Sequence, residues 1–180
     1  MNIPNTITLA RIFSVPLIVW LILTEQMLGA FVVFVLGGVS DALDGLIAKQ
    51  FDSVTMLGKY LDPLADKILL VSIFVTLGIK EEIPSWLVIL VVSRDILIIG
   101  GILFSYLMEI KVVIKPVMIS KANTFFQIVL AALVLANAAF TMEIALMIVI
   151  FVYIVAMTTV LSGYSYLTTW VKQSNLPKID

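Results

Sequence analysis

The 180-residue sequence contains no cysteine and no histidine. The first absence excludes disulfides, thiolate metal sites and thiol nucleophiles; the second excludes imidazole ligands and any Ser-His-Asp arrangement. Charge is scarce as well: 13% of the residues are Asp, Glu, Lys or Arg, about half the share of a soluble domain. A formal net charge of −1 leaves no electrostatic footprint for nucleic acid. What fills the chain is apolar, with 62% hydrophobic side chains and a mean hydropathy of +1.16, against about 45–50% apolar residues in soluble proteins. The sequence is that of an integral membrane protein. Its chemistry has to come from Asp, Glu, Lys, Arg and hydroxyl groups.

The apolar runs predict an all-α protein of six transmembrane helices, at 5–23, 28–50, 57–80, 84–107, 119–139 and 142–170. Six spans of about 20 residues use about 120 positions, so 1–180 reads as one membrane domain. Met1 to Asn5 carries no basic n-region and no small-residue cleavage site, which predicts that the first span is retained. Pro4 and Asn5 suit a helix entry, Pro84 opens the fourth span, and Pro116 interrupts the longest hydrophilic connection. No inverted internal repeat of the transporter kind is visible. Lys49 and Lys59 fall in the 2–3 connection, Lys111, Lys115 and Lys121 in the 4–5 connection, and Lys172 and Lys178 in the tail, opposed only by Lys80 beside Glu81 and Glu82. The excess of cations predicts cytoplasmic termini, with the 2–3 and 4–5 loops on the same side.

Five of the twelve acidic residues lie between positions 41 and 66, and four of them, all but Asp52, fall in two helically spaced pairs. Asp41 and Asp44 are three apart at the end of the second span, and Asp62 and Asp66 four apart at the start of the third. Each pair therefore shares one helical face, and a short connection lets the two pairs converge. An Asp deep in a membrane helix costs roughly 2.5–3.5 kcal/mol, so something must compensate them. Lys49, Lys67 and Arg94 are candidates, but converging carboxylates are above all the ligands of hard divalent cations such as Mg²⁺. Two such ions cancel four charges, and paired metals serve phosphoryl transfer. The competing reading is a structural salt-bridge network.

The run Asp41-x-x-Asp44-Gly45-x-x-Ala48-Lys49, followed after eight residues by Gly58-x-x-x-Asp62-x-x-x-Asp66, resembles the signature of the CDP-alcohol phosphatidyltransferases. Every spacing agrees; Lys49 stands where the signature has arginine, keeping the charge and losing the bidentate fork. The resemblance also takes in Pro4-Asn5-x-x-Thr8-x-x-Arg11. It implies a six-helix homodimer in a bacterial inner membrane, with its site open to the cytoplasm, transferring a phosphatidyl group from CDP-diacylglycerol to an alcohol with release of CMP. It further implies that Asp41, Asp44, Asp62 and Asp66 ligate two Mg²⁺ or Mn²⁺ ions and that Asp66 is the general base. Asp41, Gly45, Ala48, Lys49, Gly58 and Asp62 would form the nucleotide site, with Lys49 on the diphosphate.

Two acceptors compete. Users of glycerol 3-phosphate commonly open the fifth helix with G-K-x-K-T-x-x-Q and carry Arg-Glu followed by a further arginine in the fourth. Here the fifth opens Ser120-Lys121-Ala122-Asn123-Thr124-Phe125-Phe126-Gln127, and the fourth carries Ser93-Arg94-Asp95. These forms look like the CDP-diacylglycerol-dependent cardiolipin synthases, whose acceptor is phosphatidylglycerol, and that acceptor is expected. The histidine-dependent kind of cardiolipin synthase is excluded by composition. Arg94, Lys121, Asn123 and Arg11 are the expected acceptor or phosphate contacts. Arg94 and Asp95 read equally well as a buried ion pair, and Arg11 as a snorkelling side chain. Phe125, Phe126, Trp20, Trp86 and Trp170 read as lipid-facing or interfacial anchors. Two other classes remain: a cation transporter, which lacks the repeated or broken helices it would want, and an inactive lipid-binding relative, for which Lys49 is the only hint.

Overall fold

A computed structural model describes the backbone over residues 3–51, 56–107 and 118–174, and side chains over 12–40, 66–107 (except 102 and 106) and 118–171. The described chain forms six helices: α1 Ile3–Leu23, α2 Met27–Phe51, α3 Met56–Ile79, α4 Ser85–Leu107, α5 Met118–Phe140 and α6 Ala145–Ser174. Pro4 falls in the first turn of α1, where its missing N–H costs nothing. Pro116 and the 4–5 connection lie outside the described residues.

The turns after α1 and α3 close in the same way. Gln26 N–H donates to Leu21 C=O at 2.9 Å and Glu25 N–H to Ile22 C=O at 3.1 Å; Glu82 N–H donates to Leu77 C=O at 3.0 Å and Glu81 N–H to Gly78 C=O at 3.2 Å. These are Schellman caps, with Glu25 (φ 63°) and Glu81 (φ 60°) in the left-handed position that glycine ordinarily fills. Lys80 Nζ donates to Glu25 Oε1 at 2.7 Å and clips the two turns together. That contact, first through its hydrogen bond and then through its charge, holds the Glu25 carboxyl below its ordinary value of 4.5.

The last helix departs from the predicted 142–170. Thr141 takes a φ of 49° at the end of α5, and the chain does not resume a helix until Ala145. At its far end α6 continues through Lys172 and Gln173 to Ser174, because residues of good helix propensity prolong a helix past the end of its apolar run.

Helix α1 packs on α2 and α3, α5 on α2, α3 and α6, and α4 on α3 and α6. The six helices thus close a ring in the order α1, α2, α5, α6, α4, α3, with α3 and α5 also meeting across it. Among the described residues α2 and α3 make no packing contact of their own; both rest on α1 and α5. Ile18 and Ile22 of α1, Ile73, Phe74 and Leu77 of α3, and Leu130 and Leu135 of α5 are among the fully buried side chains. The outer surface is apolar too, with Phe13, Ile79, Leu107, Leu146 and Tyr153 largely exposed. Ser85–Ser105, Met118–Phe140 and Ala145–Val171 are long and apolar enough to cross a membrane; Ile12–Leu23 and Met27–Ser40 are shorter apolar stretches. Where lipid replaces water, burying Leu gains little by transfer, and close packing and interhelical hydrogen bonds hold helices together. Gly78 illustrates the packing: a Cβ there would stand 2.8 Å from Val88 Cγ2, so the glycine is what lets the α3 backbone approach α4.

Candidate functional site

Helix α2 runs unbroken through Asp41 and Asp44, and α3 through Asp62 and Asp66, so each pair does share one helical face. The side chains of Asp41, Asp44, Gly45, Ala48, Lys49, Gly58, Asp62 and Arg11 lie outside those described, and so does any convergence of the two carboxylate pairs. Asp66 is half-buried on α3. Among the described residues no three acidic side chains gather.

Next to Asp66, the chain builds a buried ionic cluster. Lys67 Nζ donates to both carboxylate oxygens of Asp95, at 2.9 and 2.8 Å. Arg94 Nη1 donates to Asp95 Oδ1 at 2.6 Å, and Arg94 Nη2 to Ser120 Oγ at 2.6 Å and to Ser162 Oγ. Arg94 and Asp95 are only 4% and 6% exposed, so the cluster is inside the bundle, joining α3, α4, α5 and α6. The Arg94 guanidinium also lies 5.7 Å from the Tyr166 ring centroid, a cation–π distance. Of the two readings of Arg94-Asp95, the geometry bears out the buried ion pair. Lys67 and Arg94, candidates to compensate the four signature aspartates, both serve Asp95.

Farther along α5, the cluster gives way to neutral groups. Asn123 is fully buried, and its Oδ1 accepts from Thr158 Oγ1 at 2.8 Å and Thr159 Oγ1 at 2.9 Å, both on α6. Among the described residues its Nδ2 has no partner, nor does either amide atom of the fully buried Gln127, nor Arg94 Nε. A buried polar group without a partner costs about 1–3 kcal/mol, so these atoms, like Asn137 Oδ1 farther along α5, favour a further polar partner. Lys121, in the first turn of α5, is exposed and makes no ion pair among the described residues. The α6 side of this arrangement was not anticipated. Its signal is Thr158-Thr159-x-x-Ser162 in an apolar run, the same helical spacing as Ser120-x-x-Asn123-x-x-x-Gln127 opposite.

Two aromatic expectations need correction. Trp20, Trp86 and Phe125 are exposed on the outer surface as anchors would be, but Phe126 packs against the core and stacks edge-on to Phe151. Trp170 is partly buried; its indole N–H donates to Ser105 Oγ at 2.9 Å and its ring meets Phe104. The polar indole tip finds its partner on α4, which ties the end of α6 down. Between these helices lies an apolar cleft of about 460 Å³, lined by Leu97, Gly100, Gly101, Phe104, Leu167 and Trp170 among others. It reaches Gly163 and Tyr166, which stand with Ser162 beside Arg94 on α6.

A family model described as CDP-alcohol phosphatidyltransferase matches residues 1–170. A chloroplastic CDP-diacylglycerol--glycerol-3-phosphate 3-phosphatidyltransferase of Oryza sativa is 35% identical over 92% of this chain, and human cardiolipin synthase (CMP-forming) is 34% identical over 92%. The chain spans only 56% and 60% of those two proteins. A CDP-diacylglycerol--glycerol-3-phosphate 3-phosphatidyltransferase of Rickettsia bellii is 33% identical, covering 92% of this chain and 93% of its own length.

Proposed function

The chain belongs to the CDP-alcohol phosphatidyltransferase family, and from that premise we propose that it transfers the phosphatidyl group of CDP-diacylglycerol to phosphatidylglycerol, forming cardiolipin and CMP. The observation that carries the choice of acceptor is the neutrality of the α5–α6 face. Asn123, Gln127, Thr158 and Thr159 offer amides and hydroxyls there, while the terminal nitrogens of Arg94 are already engaged by Asp95, Ser120 and Ser162. A phosphate dianion needs uncommitted cations; a lipid diester with one charge needs fewer. The apolar cleft between α4 and α6 suits the hydrocarbon that both lipid substrates carry.

Asp41, Asp44, Asp62 and Asp66 form the kind of all-oxygen donor set that Mg²⁺ or Mn²⁺ takes, and their helical register suits two ions. Such ions, when bound, supply positive charge to the diphosphate of the donor. Asp66 accepts the proton of the acceptor hydroxyl, whose oxygen bonds to the lipid-side phosphorus as the bond from that phosphorus to the CMP oxygen breaks. Lys49 stabilises the diphosphate, and Gly45, Ala48 and Gly58 let the nucleotide lie against the backbone. Lys121, exposed in the first turn of α5, is placed to attract anionic headgroups. Arg11 is assigned a headgroup contact by resemblance. Six crossings, cytoplasmic termini and site, a homodimer and a bacterial inner membrane complete the reading. The lysine distribution supports its orientation, and the Rickettsia relative its bacterial setting.

Glycerol 3-phosphate is the second acceptor to test, because the relative matched along 93% of its own length is named for it. The experiment is CMP release from CDP-diacylglycerol by the full chain, with phosphatidylglycerol and glycerol 3-phosphate compared at equal concentration. Faster release with phosphatidylglycerol, with cardiolipin as product, is expected; faster release with glycerol 3-phosphate overturns the choice.

A further inference from the structure

We propose that Asn123 and Gln127 form a neutral seat for the acceptor's non-reacting hydroxyl, and that Thr158 and Thr159 are positioning residues that set its polarity. The inference rests on the family's reaction and not on which acceptor is used: phosphatidylglycerol and glycerol 3-phosphate both carry a primary hydroxyl that reacts and a secondary hydroxyl that does not.

Asn123 Oδ1 lies 2.8 Å from Thr158 Oγ1 and 2.9 Å from Thr159 Oγ1, Thr158 Oγ1 also reaching the Ile154 carbonyl at 2.9 Å, and Nδ2 has no partner among the described residues. Gln127 is four residues further along the same face of α5, and both its Oε1 and Nε2 are unpartnered. Together they offer donors beside an acceptor, the complement of a hydroxyl, which gives one hydrogen bond and takes others. A phosphate oxygen cannot use the acceptor, and a hydrocarbon can use neither. The seat also has a cationic neighbour at a useful spacing. Ser120, held by Arg94, precedes Asn123 by three residues on α5, and Ser162, held by Arg94, follows Thr159 by three on α6. The Arg94 layer therefore stands about one helical turn, roughly 5 Å, from the amides, with its terminal nitrogens engaged by Asp95, Ser120 and Ser162 and its Nε without a partner among the described residues. The fully buried amides need a small opening of the α5–α6 contact to admit the hydroxyl, and the orphaned atoms are the groups that such an opening satisfies.

The test deletes the hydroxyl from the substrate and the seat from the protein. Each acceptor is compared with its analogue lacking the secondary hydroxyl: phosphatidyl-1,3-propanediol for phosphatidylglycerol, and 3-hydroxypropyl phosphate for glycerol 3-phosphate. The wild-type chain is expected to prefer the natural acceptor about tenfold in kcat/KM, mostly through KM. Gln127→Met, which keeps the volume and removes the two orphaned atoms, reduces that preference to near one and leaves KM for CDP-diacylglycerol unchanged. Thr159→Val weakens the preference and Thr159→Ser restores it, a readout that loss of stability alone does not move. Retention of the wild-type preference by both Gln127→Met and Thr159→Val overturns the proposal, as does a change confined to KM for CDP-diacylglycerol. Turnover of glycerol 3-phosphate but not phosphatidylglycerol defeats the proposed acceptor while still testing the seat through the second pair. A wild-type chain that turns over neither removes the reaction on which the seat rests.

Discussion

Lys67 on α3 places one ammonium against both carboxylate oxygens of Asp95 on α4, at 2.9 and 2.8 Å. Asp95 also receives Arg94 at 2.6 Å, so one buried anion serves two cations. Asp95→Ala leaves Arg94 buried without its counter-charge and is expected to cost about 3–5 kcal/mol, the scale for breaking a buried pair. Lys67 is 27% exposed along its side chain, and Lys67→Met is expected to cost less. Thermal unfolding of the two variants in the same detergent gives the order; an Asp95→Ala protein as stable as Lys67→Met contradicts the buried-pair account.

The turn between α3 and α4 gives two substitutions of opposite sign. Glu81 is left-handed at φ 60°, a conformation that costs a residue with a Cβ about 1–2 kcal/mol, so Glu81→Gly raises stability by about 1 kcal/mol. Three residues earlier, a Cβ on Gly78 meets Val88 Cγ2 at 2.8 Å. Valine is stiff at χ1 and cannot swing aside, so Gly78→Ala lowers stability by about 1–3 kcal/mol. Equal melting temperatures for the two variants would contradict the cap and the packing together.

The Glu25–Lys80 clip predicts a pH effect with a definite sign. Lys80 lowers the folded-state pKa of Glu25 from its ordinary 4.5, so the contact's contribution to stability is present above that value and is lost as pH falls through the lowered one. Both turns are solvent-facing, and the effect shrinks with added salt. A carbon-detected titration of the Glu25 carboxyl is expected to move back toward 4.5 in Lys80→Met; an unchanged titration removes the clip.

These features differ in how far the sequence discloses them. The apolar runs predict helices at 28–50 and 84–107, and the chain forms them as α2 at Met27–Phe51 and α4 at Ser85–Leu107. Such agreement is possible because a helix satisfies its own backbone from consecutive residues, so its extent is written locally in the run of helix-forming apolar side chains. The same local logic yields the aspartate faces of α2 and α3. What it cannot yield is which side chains meet across the bundle. Lys67 and Asp95 are 28 positions apart, Asn123 and Thr159 are 36, and each pair follows from the order in which the helices close their ring. The left-handed glutamates were hidden for another reason: glycine announces such a position, whereas Glu25 and Glu81 occupy it without that signal.

Asn123→Lys tests the neutral α5–α6 face from the other direction. A cation introduced beside Thr158 and Thr159 displaces two hydrogen bonds and is expected to lower the melting temperature, since a buried ammonium is costly. In the surviving protein the ratio of glycerol 3-phosphate to phosphatidylglycerol turnover is expected to rise about tenfold, as one added charge–phosphate contact allows. An unchanged ratio means that this face does not read the acceptor's charge.

The central claim is that the carboxylates of α2 and α3 run phosphatidyl transfer, with Asp66 as the base. Its most direct test is the rate of CMP release from CDP-diacylglycerol, with phosphatidylglycerol and Mg²⁺, for the wild-type chain and for Asp66→Asn. The account predicts CMP and cardiolipin from the wild type, loss of both on chelation of the metal, and a fall of at least about a hundredfold in Asp66→Asn with CDP-diacylglycerol still bound. Wild-type rates of CMP release from Asp66→Asn would contradict it.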